Sequence, residues 1–383
     1  MLNRSVPFSR PARAPGEEAA IADVLVSGAL VGGGQLTRDA QAHLEKMTGA
    51  AKVLLTTSGT AALEMALLLL NLEAGDEIIL PSFTFSSCAN AVALRGATPV
   101  FIDIRPDTLN IDENLIEPAI TARTRAIMPV HYAGVAADMD AIMAVARRHG
   151  LAVIEDAAQG VCAHYRTTPL GTIGNLGAFS FHGSKNIVCG EGGALLINDH
   201  ALIERAEIIW EKGTNRSQFI RGEVDKYTWI DIGSSFVPSE IAAAFLLQQL
   251  RDADTITDRR RRAWQRYQAA FAELEAEGLL RRPHVPQDCD GNGHIYGLIL
   301  PSAGARDQAL EDLKVAGVMA TFHYVPLHSA PAGRRFGRAH GEMRHTDDLS
   351  GRLLRLPIYS DITADDQDYV VACVRDVVRK LRG

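Results

Sequence analysis

The chain has 383 residues, 47% of them apolar and 22% charged, an ordinary globular mix that excludes disorder, collagen-like repeats and coiled coil. At roughly 100–200 residues per domain it has room for two domains, or one large one with an appendage. With 39 Lys and Arg against 46 Asp and Glu, its formal charge of −7 is a poor basis for holding nucleic-acid phosphates.

The N-terminal stretch MLNRSVPFSRPARAP lacks the apolar core of a signal peptide. No apolar run reaches the ~18 residues of a membrane span. From residue 50 to 200, short β-rich runs alternate with helical patterns. Strands are expected over 53–57, 77–80, 99–104, 126–130, 152–155, 178–181 and 194–197, and helices over 60–70, 86–95 and 139–149. Continuous apolar strands are buried on both faces, and such alternation predicts a mainly parallel sheet covered by helices. The last two strands lie too close together for a helical crossover, so part of the sheet is expected to be antiparallel. Residues 239–264 read as largely helical, with the arginine run at 259–262 as a solvated face. A strand over 295–300, a helix over 305–316, a strand over 321–324 and an amphipathic helix over 365–381 follow. The expected division is a large domain of 30–250 and a smaller one of 251–383, with residues 1–29 packed on the smaller. Cys88, Cys162, Cys189, Cys289 and Cys373 are scattered and form no Cys-x-x-Cys pair. Neither a zinc knuckle nor a disulfide framework is indicated, and a cytoplasmic setting is expected.

Three segments carry chemistry. Thr56-Thr57-Ser58-Gly59-Thr60-Ala61 follows a strand and opens a helix, where free N–H groups and hydroxyls make a phosphate cup; a plain N-cap reads the same way. Val153-Ile154-Glu155-Asp156-Ala157-Ala158-Gln159 ends an apolar strand in acids, at the carboxyl edge where α/β sheets bind ligands; a helix cap is the alternative. Phe179-Ser180-Phe181-His182-Gly183-Ser184-Lys185-Asn186, followed by Gly190-Glu191-Gly192-Gly193-Ala194, sets Lys185 just past a buried strand, where its pKa can fall and make it nucleophilic; a surface lysine is the alternative. Phosphate cup, acid and lysine on one sheet edge are the requirements of pyridoxal 5′-phosphate: a lysine for its aldehyde, a carboxylate for its ring nitrogen, donors for its phosphate. Phe85, in Pro81-Ser82-Phe83-Thr84-Phe85, could stack on the ring or pack in the core. His323, His328, His340 and His345 are too irregularly spaced to indicate a metal site.

These segments, together with His323-Tyr324-Val325-Pro326-Leu327-His328, resemble in content and order the DegT/DnrJ/StrS sugar aminotransferases, within the fold-type I (aspartate aminotransferase-like) enzymes. Lys212-Gly213-Thr214-Asn215-Arg216-Ser217, Asp225-Lys226-Tyr227-Thr228-Trp229 and Asp231-Ile232-Gly233-Ser234-Ser235 are most similar to the dTDP-4-amino-4,6-dideoxygalactose transaminases. The resemblance implies a large mostly parallel sheet domain with a small α/β domain, Lys185 as Schiff-base lysine and proton shuttle, and Asp156 on the pyridinium nitrogen. It places Gly59, Thr60 and Ser180 on the phosphate, Phe85 on the ring, and Gln159 near the ring's face or 3′-oxygen. It implies a homodimer with active sites at the interface. Many members carry a Gly-x-Asn-x-Arg segment whose Asn reaches the neighbour's phosphate; Gly233, Ser235 and Val237 stand there in this chain, leaving Ser235 as the substitute. Gly33, in Val31-Gly32-Gly33-Gly34, and His323, Tyr324 and His328 are the candidates for the sugar nucleotide.

The implied reaction moves an amino group from L-glutamate to C4 of a dTDP-4-keto-6-deoxyhexose, giving 2-oxoglutarate and a dTDP-4-amino-4,6-dideoxyhexose. Its rivals are a 3-keto-sugar nucleotide aminotransferase, a sugar 3-dehydratase (disfavoured because the related dehydratases carry His where Lys185 stands) and a non-catalytic regulatory protein that binds the cofactor.

Overall fold

Seven of the eight strands of the central sheet come from residues 52–197: β1 Lys52–Thr56, β2 Glu77–Pro81, β3 Thr98–Ile102, β4 Thr124–Ile127, β5 Ala152–Asp156, β6 Leu176–Ser180 and β7 Gly193–Ile197. A computed structural model supplies the coordinates and describes residues 4–381; residues 1–3 and 382–383, the outer ends of the expected domains, lie outside the described residues. The strand order is β1-β7-β6-β5-β4-β2-β3, and Arg338–Ala339 adds a two-residue strand beside β3. β7 pairs antiparallel with both β1 and β6, while β2, β3, β4, β5 and β6 pair in parallel. The antiparallel strand is the one whose short connection from β6 left no length for a crossover helix.

Successive strand residues point to opposite faces, and both faces are covered. Leu55, Ile79, Val100, Ile127, Val153 and Leu196 join one buried cluster with Leu44, Ile142 and Leu247 from the helices Gln35–Thr48, Met139–His149 and Glu240–Arg251. Leu54, Ile78, Phe101, Ala126, Ile154 and Leu195 join the other with Leu63, Met65 and Val92 from the helices Gly59–Leu69 and Ser86–Leu94. The helices start where their sequence says: the side chains of Ser58, Asp138 and Ser239 each accept an N–H of the first turn.

A separate cluster joins Val6, Tyr267, Phe271, Tyr296, Leu298, Leu313 and Val374. It packs the helices Ala253–Ala270, Ala303–Val315 and Ala364–Lys380 against the antiparallel pair Gly297–Ile299 and Leu353–Arg355. Within the first 29 residues, Val6 bridges to Val318, while the helix Glu17–Ser27 lies against Glu240–Arg251.

Two expectations are corrected. No strand runs over 321–324: Thr321 alone bridges to Arg355. The rings of His323 and Tyr324 stack with centroids 3.8 Å apart, on one side of the chain, which the alternation of a strand forbids. The arginine run is not wholly a solvated face either. Arg259 and Arg262 are exposed, but Arg260 is buried. It follows Ile256 and precedes Ala263 and Tyr267 on the apolar stripe, and it donates to the carbonyls of Gly293, His294 and Ile358.

Candidate active site

β1, β5 and β6 end at one edge of the sheet, and their last residues draw three loops together. Thr56 and Ser180 both lie opposite Gly193 in register. That edge is tight. A Cβ on Gly193 would stand 2.4 Å from the Ser58 carbonyl carbon and 2.5 Å from the Gly59 nitrogen, and one on Gly59 would stand 2.8 Å from the Ser180 Cβ. Only glycine allows the helix Gly59–Leu69 to start this close to β6 and β7. Ser58 Oγ takes the Ala61 N–H at 3.0 Å, so the N–H groups of Gly59 and Thr60, which no helical carbonyl can reach, stay available at the cavity wall. The Thr60 hydroxyl lies 2.7 Å from that of Ser87.

The two acids ending β5 have opposite fates. Glu155 is buried and accepts N–H groups from Gly171, Ile173 and Gly174 at 2.9, 2.6 and 2.6 Å. It also takes the Nε2–H of His131 at 2.8 Å; His131 Nδ1 accepts from Ala137 N–H, which fixes that tautomer. Glu155 therefore braces the loop after β5. Asp156 turns the other way, into the cavity. Its carboxylate accepts the Ala158 N–H at 3.0 Å and the Cys88 S–H at 2.8 Å. Burial, with Asp156 beside it, pushes the Cys88 thiol well up, so it stays a donor.

The cavity holds about 630 Å³ and is lined by Gly59, Thr60, Phe85, Asp156, Gln159, Ser180, Lys185, His323 and Tyr324. Among the described residues, three other clefts hold about 40, 180 and 180 Å³, below the roughly 300–1,000 Å³ that small-molecule sites occupy. Lost hydration pulls the Lys185 amine down to about 8; Asp156 and Cys88 oppose that shift, and Arg355 adds to it. Phe85 is 59% exposed and lies outside the core, its ring 6.4 Å from that of Tyr324. Gln159 is fixed at both ends, accepting from Ala133 N–H at 2.7 Å and donating to the Tyr324 hydroxyl at 3.1 Å.

Three candidates lie elsewhere. His328 is tied to Ser82, whose Oγ accepts the His328 N–H at 3.1 Å and lies 2.8 Å from its Nδ1. Gly33 and Ser235 both adjoin Glu211 and do not line the cavity: a Cβ on Gly33 would stand 3.8 Å from the Glu211 carboxylate, and Ser235 bridges to the Glu211 backbone. The cavity also contains residues that sequence reasoning missed, among them Phe8, His294 and Arg355. Arg355 donates to the ring of His323, lies 4.8 Å over the ring of Phe8, and keeps a buried Nε with no acceptor. Burial, with the charges of Arg355 and Lys185, pulls His323 down to about 2, so it is neutral. A lone cation in the apolar run Leu353-Leu354-Arg355-Leu356 was the available signal.

The sequence profile of the DegT/DnrJ/EryC1/StrS aminotransferase family matches residues 12–375. The chain belongs to that family. It is 34% identical to the spore coat polysaccharide biosynthesis protein SpsC of Bacillus subtilis, over 98% of each chain. Among solved structures, the aminotransferase TlmJ from Streptoalloteichus hindustanus superposes with a TM-score of 0.90 at 30% identity, over 99% of this chain and 100% of that one. The putative sugar aminotransferase Spr1654 from Streptococcus pneumoniae, solved in PMP and PLP forms, superposes in the former with a TM-score of 0.91 at 26% identity, over 98% of this chain and 100% of that one. The protein is thus a sugar aminotransferase of the α/β fold shared by pyridoxal-phosphate enzymes, and its residues suit that cofactor. The glycine-lined edge leaves room for a phosphate against free N–H groups, and a carboxylate and a low-pKa amine face the same space. Among the described residues, no helix is long and apolar enough to cross a membrane.

Proposed function

We propose that the enzyme transfers an amino group from L-glutamate to C4 of a dTDP-4-keto-6-deoxyhexose, yielding 2-oxoglutarate and a dTDP-4-amino-4,6-dideoxyhexose in the cytoplasm. The observation that carries this reading is the single cavity in which Lys185, Asp156 and the Ser58–Thr60 turn meet with space for a bulky acceptor. Pyridoxal phosphate, when bound, supplies a carbonyl carbon and a ring that takes up the electron pair left when a C–H bond breaks. The residues do the rest. Gly59 and Thr60 N–H groups and the Ser180 hydroxyl hold the phosphate. The Asp156 carboxylate, oriented by Ala158 and Cys88, holds the ring-nitrogen proton. Phe85 would cover the ring, and Gln159 would lie beside it, since both line the cavity. Lys185 Nζ would hold the cofactor's carbonyl carbon and, when free, would be the base for the proton on the donor's Cα. The Arg355 guanidinium, whose Nε has no acceptor, is our candidate for the donor's carboxylate, and His323 and Tyr324 for the sugar.

We further propose a homodimer with interfacial active sites. Phe219, Ile220, Tyr227, Trp229, Ile230 and Ile232 are all exposed, Trp229 by 76%, and such a concentration of apolar surface supports a protein contact. Gly33, Ser235 and their neighbours near Glu211 would then serve the partner's cavity. The deciding experiment is incubation with dTDP-4-keto-6-deoxyglucose and L-glutamate, with NMR assignment of the product. A new C4–N bond is expected; amination at C3, or none while the protein stays coloured after glutamate, would reject the assignment.

A further inference from the structure

The helix Ser86–Leu94 begins at the cavity, and its first turn touches the site twice. Ser87 Oγ lies 2.7 Å from the Thr60 hydroxyl. Cys88, the next residue, is fully buried, and its Sγ lies 2.8 Å from Asp156 Oδ2. An ionised carboxylate only accepts, so the thiol's single proton lies on that bond. The buried Thr84 hydroxyl lies 3.3 Å from the same sulfur. With the thiol proton spent on Asp156, this second bond runs from the Thr84 O–H to Sγ. Burial, with Asp156 beside it, pushes the thiol well up, so the sulfur keeps its proton. The three side chains form a relay with one direction, from Thr84 through Cys88 to Asp156, and bonds in such a chain polarise one another.

The other oxygen of Asp156 is held by the Ala158 N–H at 3.0 Å. Each carboxylate oxygen can take a further donor, and Asp156 lines the cavity. The kind of donor at Cys88 then matters. A thiol is a weak donor, whereas a hydroxyl bonded to a carboxylate makes one of the strong, short bonds. Cys88 therefore fixes the direction of the carboxylate while drawing little charge from it. We propose that Thr84 and Cys88 are positioning residues of the transfer, aiming Asp156 into the cavity and, through a thiol in place of a hydroxyl, leaving its charge to the cation it faces. This rests on our reading of that cation as the cofactor's ring nitrogen.

Two measurements test it. The first needs no cofactor. The infrared S–H stretching band of Cys88 is isolated as the difference between the full-length wild type and Cys88→Ser; a thiol bonded to a carboxylate absorbs below a free one. Asp156→Ala should move the band upward, and Thr84→Val should move it upward by less. A band that Asp156→Ala leaves in place overturns the proposal. In the second, the protein is loaded with pyridoxal phosphate labelled with ¹⁵N in its ring, and NMR reads the ring N–H proton. Cys88→Ala returns charge to the carboxylate, strengthens its bond to the ring and should shift that proton downfield. Cys88→Ser withdraws more charge and should shift it upfield. Damage to packing alone would move both the same way, so shifts of one sign, or none, overturn the proposal. Thr84→Val should follow Cys88→Ala by a smaller shift and stands in if that variant does not fold. Asp156→Ala separates the two readings. If it leaves the ring N–H unmoved, the proposed function loses Asp156 and the relay's role falls with it. If it moves the resonance and the Cys88 variants do not, only the relay's role is rejected.

Discussion

Lys185 carries an amine whose proton affinity is a contest between lost hydration and its neighbours. With a pKa of about 8 in place of the ordinary 10.5, the folded protein binds fewer protons than the unfolded chain between those values, so this residue's contribution to stability rises with pH across that window. The same shift governs capture of the cofactor. Below about 8 the neutral amine is the minor form, and the second-order rate of pyridoxal phosphate uptake by cofactor-free protein should rise about tenfold per pH unit, then level off above it; stopped-flow absorbance reads this directly. Lys185→Ala should reduce turnover by roughly 10⁴-fold while cofactor still binds non-covalently, as equilibrium dialysis would measure. Asp156→Ala should cost about 10³-fold in kcat, equivalent to about 4 kcal/mol of barrier. Its bound cofactor should also change colour, because the ring nitrogen loses its anion; an unchanged spectrum and rate would remove Asp156 from the role.

At the scale of elements, the site is a junction between strand ends. β5 presents alternating residues to opposite sides, so Glu155 braces a loop through three N–H groups while Asp156 faces the cavity. The junction of β7 with the helix Gly59–Leu69 is held open by the absence of two Cβ atoms. Gly193→Val should therefore cost about 1–3 kcal/mol in urea unfolding and weaken cofactor binding more than it lowers stability, because the displaced backbone is the one that offers the phosphate its N–H groups. Equal losses in Gly193→Val and in a core substitution such as Ile142→Val would argue against that local effect. The bracing helix Ala253–Ala270 reaches the same site through Arg260, whose guanidinium ties down the backbone at His294.

For the whole molecule, the two larger buried clusters lie on either side of the sheet, and the third gathers residues from 263 onward together with Val6. We propose a lobe boundary near residue 250 on that basis. The cavity takes walls from both sides of this boundary, Lys185 and Asp156 from one and His294, His323 and Arg355 from the other. In the proposed dimer, Trp229→Glu would place a charge in the contact. It should halve the mass measured by light scattering and abolish turnover, with the far-ultraviolet spectrum retained; a monomeric wild type would sink the dimer.

The parts of this protein written in local sequence are those set by local physics. Apolar runs broken by short helical patterns dictate a parallel sheet, because strands buried on both faces must be apolar throughout. Ser58, Asp156 and Lys185 are legible because each stands at the end of such a run or within five residues of it, where the chain reaches the sheet edge. Arg355, Cys88 and His294 gave no comparable sign. Arg355 and Cys88 lie 170 and 68 positions from the lysine and the acid they act on (355 − 185 and 156 − 88), and His294, on the wall of the same cavity, lies 109 positions from Lys185 (294 − 185); only packing brings them there. Gly33, Ser235 and His328 are the converse: motif position made them candidates, and in the single chain none of them lines the cavity, which for Gly33 and Ser235 leaves the proposed partner's cavity as their place. Hydrogen bonding decides such cases, since a polar side chain takes whichever buried partner the tertiary structure supplies.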